Sequence, residues 1–442
     1  MTTCPACQAG VQESDEYCEA CGAELSPTAA ARQQTSQAGD ETPISVSSAT
    51  NVAGLKIADV NAADLSGTET TCRECGGNVD SDGYCATCGA RAAKRRDHFS
   101  EQPASWVAAV CDRGIRHTRN EDAMALAADP KPGSRAVLVV CDGVSSSVDS
   151  DQASLAAARA ARDVLVSSNS QGLGTGTSHI AAVVARLGVA ADAASAAVLE
   201  VTANAGTIGA NAELAGVQPG PATNPASCTF VAAVLEQDLL VVGSVGDSRA
   251  YWIPDVGDAT ALTLDDSFAQ MQIAAGVPRG EAESGPQSHA ITRWLGADAP
   301  DHKPTTATMT LAEPGWLLVC SDGLWNYCSA AEDLGDLVRQ TSKTSPGSAE
   351  PMGLARALVD WANAQGGQDN ITAALARIEP VSPAPSQSGT SSTSSTSSTS
   401  SLASAPPALS GATVASAGSV ASASPPDSLS PVLTPEKEPR DG

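Results

Sequence analysis

The residues of this 442-residue chain best suited to chemistry recur in one arrangement, an apolar run that ends at a carboxylate. Residues 136–140 lead into Cys141-Asp142-Gly143, and residues 316–319 into Cys320-Ser321-Asp322-Gly323. Residues 239–242 lead into Gly243-Ser244-Val245-Gly246-Asp247-Ser248. A fourth run, 107–110, passes through Asp112-Arg113-Gly114 to Asn120-Glu121-Asp122, and Gly366-Gly367-Gln368-Asp369-Asn370-Ile371-Thr372 opens another apolar stretch. Asp-Gly after a strand often marks a two-residue hairpin. Here an alanine-rich helical stretch follows Asp142-Gly143 from about residue 152, and Ser329-x-x-Glu332 after Asp322-Gly323 has the form of a capping box opening a helix through Arg339. Carboxylates gathered at strand ends repel one another unless a cation neutralises them. An all-oxygen set without His or Cys suits Mg²⁺ or Mn²⁺ rather than zinc, and glycine beside a ligand lets its own carbonyl approach the metal. Two such ions lower the pKa of a shared water and clamp the oxygens of an in-line phosphoryl displacement. The expectation is metal-assisted hydrolysis of a phosphate ester without a phosphoenzyme intermediate.

The cysteines carry a second chemistry. Eight of the thirteen form four C-x-x-C pairs, Cys4/Cys7, Cys18/Cys21, Cys72/Cys75 and Cys85/Cys88, arranged as a repeated unit with a tyrosine before and a glycine after each second pair. A two-residue gap lets both thiolates of a pair reach one ion, and two pairs complete a tetrahedral Cys₄ zinc site. About twenty residues bury too little to fold alone, so metal binding supplies the folding free energy. Two structural zinc ions are therefore expected. Both units are acid-rich (Glu13, Asp15, Glu16, Glu19 and Glu24; Glu74, Asp80 and Asp82), which favours protein docking over nucleic-acid binding.

Composition locates the elements that must hold these groups. Large apolar residues concentrate in the centre, so the organisation expected is a zinc ribbon at 1–25, a flexible linker at 26–71, a second ribbon at 72–90, a linker at 91–104, one large domain at 105–379, and a disordered Ser/Thr/Pro/Ala-rich tail at 380–442. A short helix over 55–65 is compatible with the first linker. The basic cluster Arg91, Lys94, Arg95 and Arg96 reads as solvated linker, or as a docking patch. With 3% aromatic residues, the core must rest on Val, Leu, Ile and Ala. A net charge of −25 argues against a nucleic-acid partner. The sequence predicts no membrane span and no signal peptide, hence a cytoplasmic location in which the cysteines stay reduced. Cys111, Cys141 and Cys320 read as small buried strand residues, and His289 and His302 as surface residues. The Gly/Ala-rich insertion at 167–225 has a helical middle near 179–203 and no recognisable chemistry.

Five motifs in order, Asp112-Arg113-Gly114 to Asn120-Glu121-Asp122-Ala123, Asp142-Gly143, Val245-Gly246-Asp247-Ser248-Arg249, Ser321-Asp322-Gly323-Leu324-Trp325 and Asp369-Asn370-Ile371-Thr372, resemble those of the PPM family, the type 2C protein phosphatases, over roughly residues 106 to 378. Asp266-Ser267 and residues 291–296 are lesser echoes. The resemblance implies an α+β fold, an α-β-β-α four-layer sandwich with metals at one end between the sheets. It implies that Asp142 bridges two Mn²⁺ or Mg²⁺ ions and the Gly143 carbonyl binds one. Asp322 and Asp369 would hold the other, Glu121 and Asp122 would join directly or through water, and Asp247 would share a third with Asp322. It also implies phosphorylated proteins as substrates, with a Ser/Thr protein kinase or its targets as partners.

Two positions depart from the family pattern. The arginine that often grips the substrate phosphate, four residues before the motif glutamate, is His117 here, and Val144-Ser145-Ser146-Ser147 follows the first Asp-Gly where many members have Gly-Gly or a histidine. If the chain before Glu121 is extended, His117, Arg119 and Glu121 share one face, which makes His117 and Arg119 the candidate phosphate grip. The function expected is hydrolysis of phosphoserine and phosphothreonine by metal-held water at Asp142, Asp322 and Asp369. The alternatives are a catalytically weak phosphoprotein-binding scaffold acting through its ribbons, and hydrolysis of a non-protein phosphate ester.

Overall fold

A computed structural model describes residues 55–59, 65–73, 75–167, 176–214, 224–285 and 287–379, together with short strand segments at 2–3, 10–11 and 47–50. Cys4, Cys7, Cys18 and Cys21 lie outside the described residues, as does the stretch from 380 to 442.

Two antiparallel sheets face each other. The first runs, in spatial order, Thr305–Thr310, Leu239–Val245, Phe230–Glu236, Arg135–Cys141, Ala123–Ala128, Lys56–Asp59 and Ser47–Thr50. The second runs Thr260–Ala261, Arg249–Pro254, Gly315–Cys320, Ile371–Ile378, Val107–Asp112 and His98–Ala104. The central strands read as unbroken apolar runs because both of their faces are covered. Alternation divides each strand between two cores. On Arg135–Cys141, Ala136, Leu138 and Val140 enter the layer between the sheets, whereas Val137, Val139 and Cys141 face outward under the helices. On Gly315–Cys320, Leu317 and Val319 point inward and Trp316, Leu318 and Cys320 outward.

Helices close both outer faces. Ser150–Ser167 lays Ala153, Ala157, Ala161 and Leu165 on the first sheet, and Gly176–Leu214 packs Val183, Leu187, Ala190, Ala194 and Val198 beside them. This apolar stripe recurs at helical spacing, and its alanines allow close approach. Ala331–Thr344 and Pro351–Gln365 cover the second sheet with Leu334, Val338, Leu354, Leu358 and Val359. The result is the four-layer α-β-β-α sandwich. By length and composition, the stretch Gly176–Asn204 is long and apolar enough to cross a membrane, which the sequence did not suggest; the stripe just named is buried against the first sheet and its neighbouring helix.

Several expected boundaries shift. The proposed linker at 91–104 contains the strand His98–Ala104, paired with Val107–Asp112, because Phe99 is buried and Glu101 accepts the Leu126 amide at 3.0 Å. The proposed linker at 26–71 contributes Ser47–Thr50 and Lys56–Asp59 to one end of the first sheet, where Leu55 and Ile57 join the core, so a strand stands at 56–59 where a short helix was compatible. Arg96 is buried rather than solvated. The expected capping box at Ser329 does not form. Its hydroxyl donates to Glu283 Oε2 at 2.6 Å, and the following helix starts at an uncapped Ala330.

Leu55 is fully buried although it lies just before the short strand Lys56–Asp59. Leu55→Ala is expected to lower stability by about 2–5 kcal/mol, read as a reduced midpoint in chemical denaturation. An unchanged midpoint would mean that this segment is not part of the folded unit.

Candidate metal centre

The acids arrive at one end of the sandwich because each terminates a strand that is paired with the next. Asp142 follows Arg135–Cys141, whose Cys141 pairs with Ala123, so Glu121 and Asp122 stand beside it. Asp322 follows Gly315–Cys320, whose Cys320 pairs with Ala373, so Asp369 stands just beyond on the neighbouring strand. Asp247 follows Leu239–Val245 across the gap.

The backbone loops are locked together. Asn370 Oδ1 accepts the Glu121 amide at 2.7 Å, and its Nδ2 donates to the carbonyls of Arg113 at 2.7 Å and Arg119 at 3.1 Å. Gly143 donates to the Glu121 carbonyl at 3.2 Å, and a side chain there would bring a Cβ within 2.7 Å of that oxygen. Gly114, at φ +74°, is likewise required: a Cβ would stand 2.1 Å from the Asp369 carbonyl. Thr229 closes the ring by donating its amide to the Asp142 carbonyl at 2.7 Å and accepting the Asp142 amide on Oγ1 at 3.0 Å.

Electrostatically the site is loaded with like charge. Burial first, and then the neighbouring acids, push the Asp142 carboxyl well above its ordinary range, the neighbours being Asp122, Asp322, Asp369 and Asp247. Asp247 is raised for the same reasons, with Asp322 and Asp265 as the chief neighbours. Burial pushes Asp122 up to about 7, against the hydroxyls of Ser321 (2.6 Å) and Thr372 (2.7 Å), which donate to its Oδ2. Asp322 rises to about 6 through burial and Asp369, while Asn326 Nδ2 donates to its Oδ2 at 2.9 Å. The opposite oxygens, Asp122 Oδ1 and Asp322 Oδ1, are buried with no hydrogen-bond partner. Buried acceptors left bare within a mutually repelling cluster are what a hard divalent cation satisfies.

His117 and Arg119 both reach the cluster. His117 Nε2 lies 3.2 Å from Asp369 Oδ1, and its Nδ1 lies 3.7 Å from Glu121 Oε2. Arg119 donates through Nε (2.9 Å) and Nη2 (2.6 Å) to Glu121 Oε1, and through Nη2 to Ser150 Oγ at 3.1 Å. Arg119 is thus engaged by Glu121, with Nη1 its remaining donor. Arg116 and Thr118 are exposed. Beside Asp369 opens a cleft of about 320 Å³ lined by Arg249, Gln270, His289, Trp325 and Tyr327.

The second cysteine unit forms a separate cluster. Among the described residues, Cys72, Cys75, Cys85 and Cys88 are the one set of three or more Cys, His, Asp or Glu whose ligand atoms all lie within 4.8 Å of one another; the carboxylates are gathered more loosely. Cys72 and Cys88 sulfurs stand 3.6 Å apart and those of Cys75 and Cys85 3.5 Å. An ion held by four thiolates at about 2.3 Å sets them about 3.8 Å apart. The backbone amides of Cys88 and Thr87 lower the Cys85 thiol to about 6.

Sequence reasoning did not assign roles to Ser321, Thr372, Asn370, Ser150 or Arg96. The first three lie inside the acid motifs, and their hydroxyl and amide types beside carboxylates were the available signal. Ser150 and Arg96 act across 29 and 24 residues of chain and gave none.

Against known proteins, residues 114–362 match the family model for protein phosphatase 2C. A protein phosphatase 2C-type protein of Streptococcus pyogenes is 33% identical over 155 residues, covering 34% of this chain and 58% of the relative. The serine/threonine phosphatase stp of Listeria welshimeri is 29% identical over 153 residues, covering 34% of this chain and 57% of the relative. The chain therefore spans less than two thirds of either relative's length. The solved catalytic domain of the serine/threonine phosphatase PstP in complex with two manganese ions is 24% identical, with a TM-score of 0.42, covering 62% of this chain and 98% of that one.

A carboxyl raised by the fold binds its proton more tightly folded than unfolded. The resulting stability is complete below the ordinary range near 4 and is lost as pH rises through about 7. Protein stripped of divalent cations should therefore melt higher at pH 6 than at pH 8, and Mn²⁺ should raise the melting temperature more at pH 8. A metal effect equal at both values would contradict the site.

Proposed function

The chain belongs to the protein phosphatase 2C family, and from that premise we propose that it hydrolyses phosphoserine and phosphothreonine esters on proteins. The observation that carries this reading is the pair of bare, buried oxygens, Asp122 Oδ1 and Asp322 Oδ1, within a set of mutually raised carboxyls. The residues fit two Mn²⁺ or Mg²⁺ ions. Asp142 and the Gly143 carbonyl, Asp322 and Asp369 would hold them, Glu121 and Asp122 would support them, and Asp247 together with Asp322 would share a third. When bound, such ions supply a hydroxide nucleophile at neutral pH and neutralise phosphate charge.

The remaining work belongs to the chain's own side chains. The Ser321 and Thr372 hydroxyls and Asn326 each satisfy one oxygen of an acid and so fix which oxygen is left open. Arg119, anchored on Glu121, presents Nη1 to a phosphate oxygen, a planar charged donor suited to that role. His117, between Glu121 and Asp369, would donate to the same phosphate in place of the family's arginine. The cleft beside Asp369 is a suitable seat for the peptide around the phosphorylated residue. Hydrolysis by metal-held water leaves no phosphoenzyme, because no Ser, Cys or His nucleophile is needed to form one. Substrates would be phosphorylated proteins, with a Ser/Thr protein kinase or its targets as partners.

The thiolates of Cys72, Cys75, Cys85 and Cys88 are proposed to hold a structural zinc ion, and Cys4, Cys7, Cys18 and Cys21 a second. A cytoplasmic location is proposed on the same ground, since a reducing compartment keeps such thiols from pairing as disulfides.

Asp322→Asn should lower phosphate release from a phosphothreonine peptide about 10²-fold or more, because it removes charge from the metal clamp, while the melting temperature holds or rises. Near-native turnover in saturating Mn²⁺, or wild-type release that is insensitive to EDTA, would overturn the assignment.

A further inference from the structure

The cysteine unit and the acid cluster are joined by one short path of chain. Within the unit, Cys85 donates its amide to the Ala90 carbonyl at 2.8 Å, Tyr84 pairs with Arg91, and Ala92 donates to the Gly83 carbonyl at 2.8 Å. The same segment then pairs with the unit's leading edge: Glu69 donates to Ala93 at 2.8 Å, Thr68 pairs with Lys94, and Arg95 donates to Gly67 at 2.9 Å. The next residue is Arg96, in the short 3₁₀ turn Arg95–Asp97.

Arg96 is 8% exposed, and its guanidinium is directed chiefly at backbone carbonyls behind the acids. Nε donates to the Asn120 carbonyl at 3.0 Å. Nη2 donates to the Asp122 carbonyl at 3.0 Å, to the Asp151 carbonyl at 2.5 Å and toward Ser154 Oγ at 3.3 Å. Asn120 returns the bond through Nδ2 to the Arg96 carbonyl at 2.9 Å, and Ser154 Oγ donates to the carbonyl of Glu121. All three residues of Asn120-Glu121-Asp122 are thus held from behind by this one buried cation and its immediate partners. Its permanent charge also faces the acids Asp122 and Asp151.

We propose that Arg96 is a positioning residue for the metal-binding acids, and that the Cys72/Cys75/Cys85/Cys88 unit is an internal brace of the active site rather than only a docking module. Loss of metal from the thiolates frees residues 90–95 from the unit, loosens the hold of Arg96, and weakens divalent cation binding at Glu121 and Asp122. The inference rests on the phosphatase reading for its kinetic consequence but not for its structural one.

The test uses the full chain with Arg96→Gln, Arg96→Lys and the double change Cys75→Ser/Cys88→Ser. Two readouts are taken: the Mn²⁺ concentration giving half-maximal phosphopeptide turnover, and hydrogen–deuterium exchange over residues 119–123 in protein free of Mn²⁺. Arg96→Gln and the cysteine double change should each raise the Mn²⁺ requirement about 10-fold or more, as expected for losing charge-assisted hydrogen bonds, with saturating Mn²⁺ restoring most of the turnover. Both should speed exchange at 119–123. Arg96→Lys, which keeps the charge but not the fork, should fall between and remains informative if Arg96→Gln does not fold. Unchanged Mn²⁺ requirement and exchange in all three would overturn the proposal, and an effect at Arg96 without one at the cysteines would overturn the brace. If wild-type protein shows no Mn²⁺-dependent turnover, the phosphatase reading has failed, and the exchange measurement alone decides the coupling.

Discussion

Like charges held together away from water are the constraint on which the rest of the molecule turns. Asp122, Asp142, Asp247 and Asp322 are each raised first by burial and then by neighbouring acids. A chain left to itself would separate them. What prevents this is the sheet pairing, since Cys141 is fixed against Ala123 and Cys320 against Ala373, and the flanking acids have nowhere else to go. The sandwich therefore stores electrostatic strain at one end, and the apolar layers supply the stability that tolerates it. Those layers are made largely of alanine, valine and leucine, packed on both sides of both sheets. Small side chains let the helices Ser150–Ser167 and Gly176–Leu214 lie close to each other and to the sheet, which compensates for the scarcity of aromatic residues.

Most of this was legible in the sequence where the signal was local. The apolar runs ending in Asp142, Asp247 and Asp322 announced both the strands and the acids, because a strand buried on both faces must be continuously apolar and its polar end must emerge at an edge. The four-layer sandwich followed from the resemblance those motifs carry. The eight cysteines announced their grouping by spacing alone, and the described four do converge. Interactions joining distant segments were not legible. Arg96 looked like one of several exposed cations because Arg91, Lys94 and Arg95 surround it, and only the fold shows that it turns inward to the Asn120 and Asp122 carbonyls. Lys56–Asp59 looked like linker because a strand of four residues carries too weak a pattern to stand out from a polar neighbourhood. Ser329 had the spacing of a cap, but its hydroxyl found Glu283 instead, a tertiary partner overriding a local preference.

The replacement of an expected arginine by His117 has a physical reading. The histidine lies between Glu121 and Asp369, and Arg119 two residues later is pinned to Glu121 and Ser150. In the proposed reading, the two side chains that would meet the phosphate, His117 and Arg119, are both held by Glu121, and His117 by Asp369 as well. On that reading substrate grip and metal binding would be coupled, since displacing Glu121 would move both. The same segment is held from behind by Arg96, so two arginines from different directions converge on residues 120–122.

The central claim is that the buried carboxylates form a site for divalent cations. Crystals soaked in Mn²⁺ and measured by anomalous diffraction at the manganese edge test it without reference to any substrate. The account predicts two peaks bounded by Asp142, Gly143, Asp322 and Asp369, with Asp122 Oδ1 and Asp322 Oδ1 facing them directly or through water. Absence of signal there at saturating Mn²⁺, or manganese confined to the cysteine cluster, would contradict it.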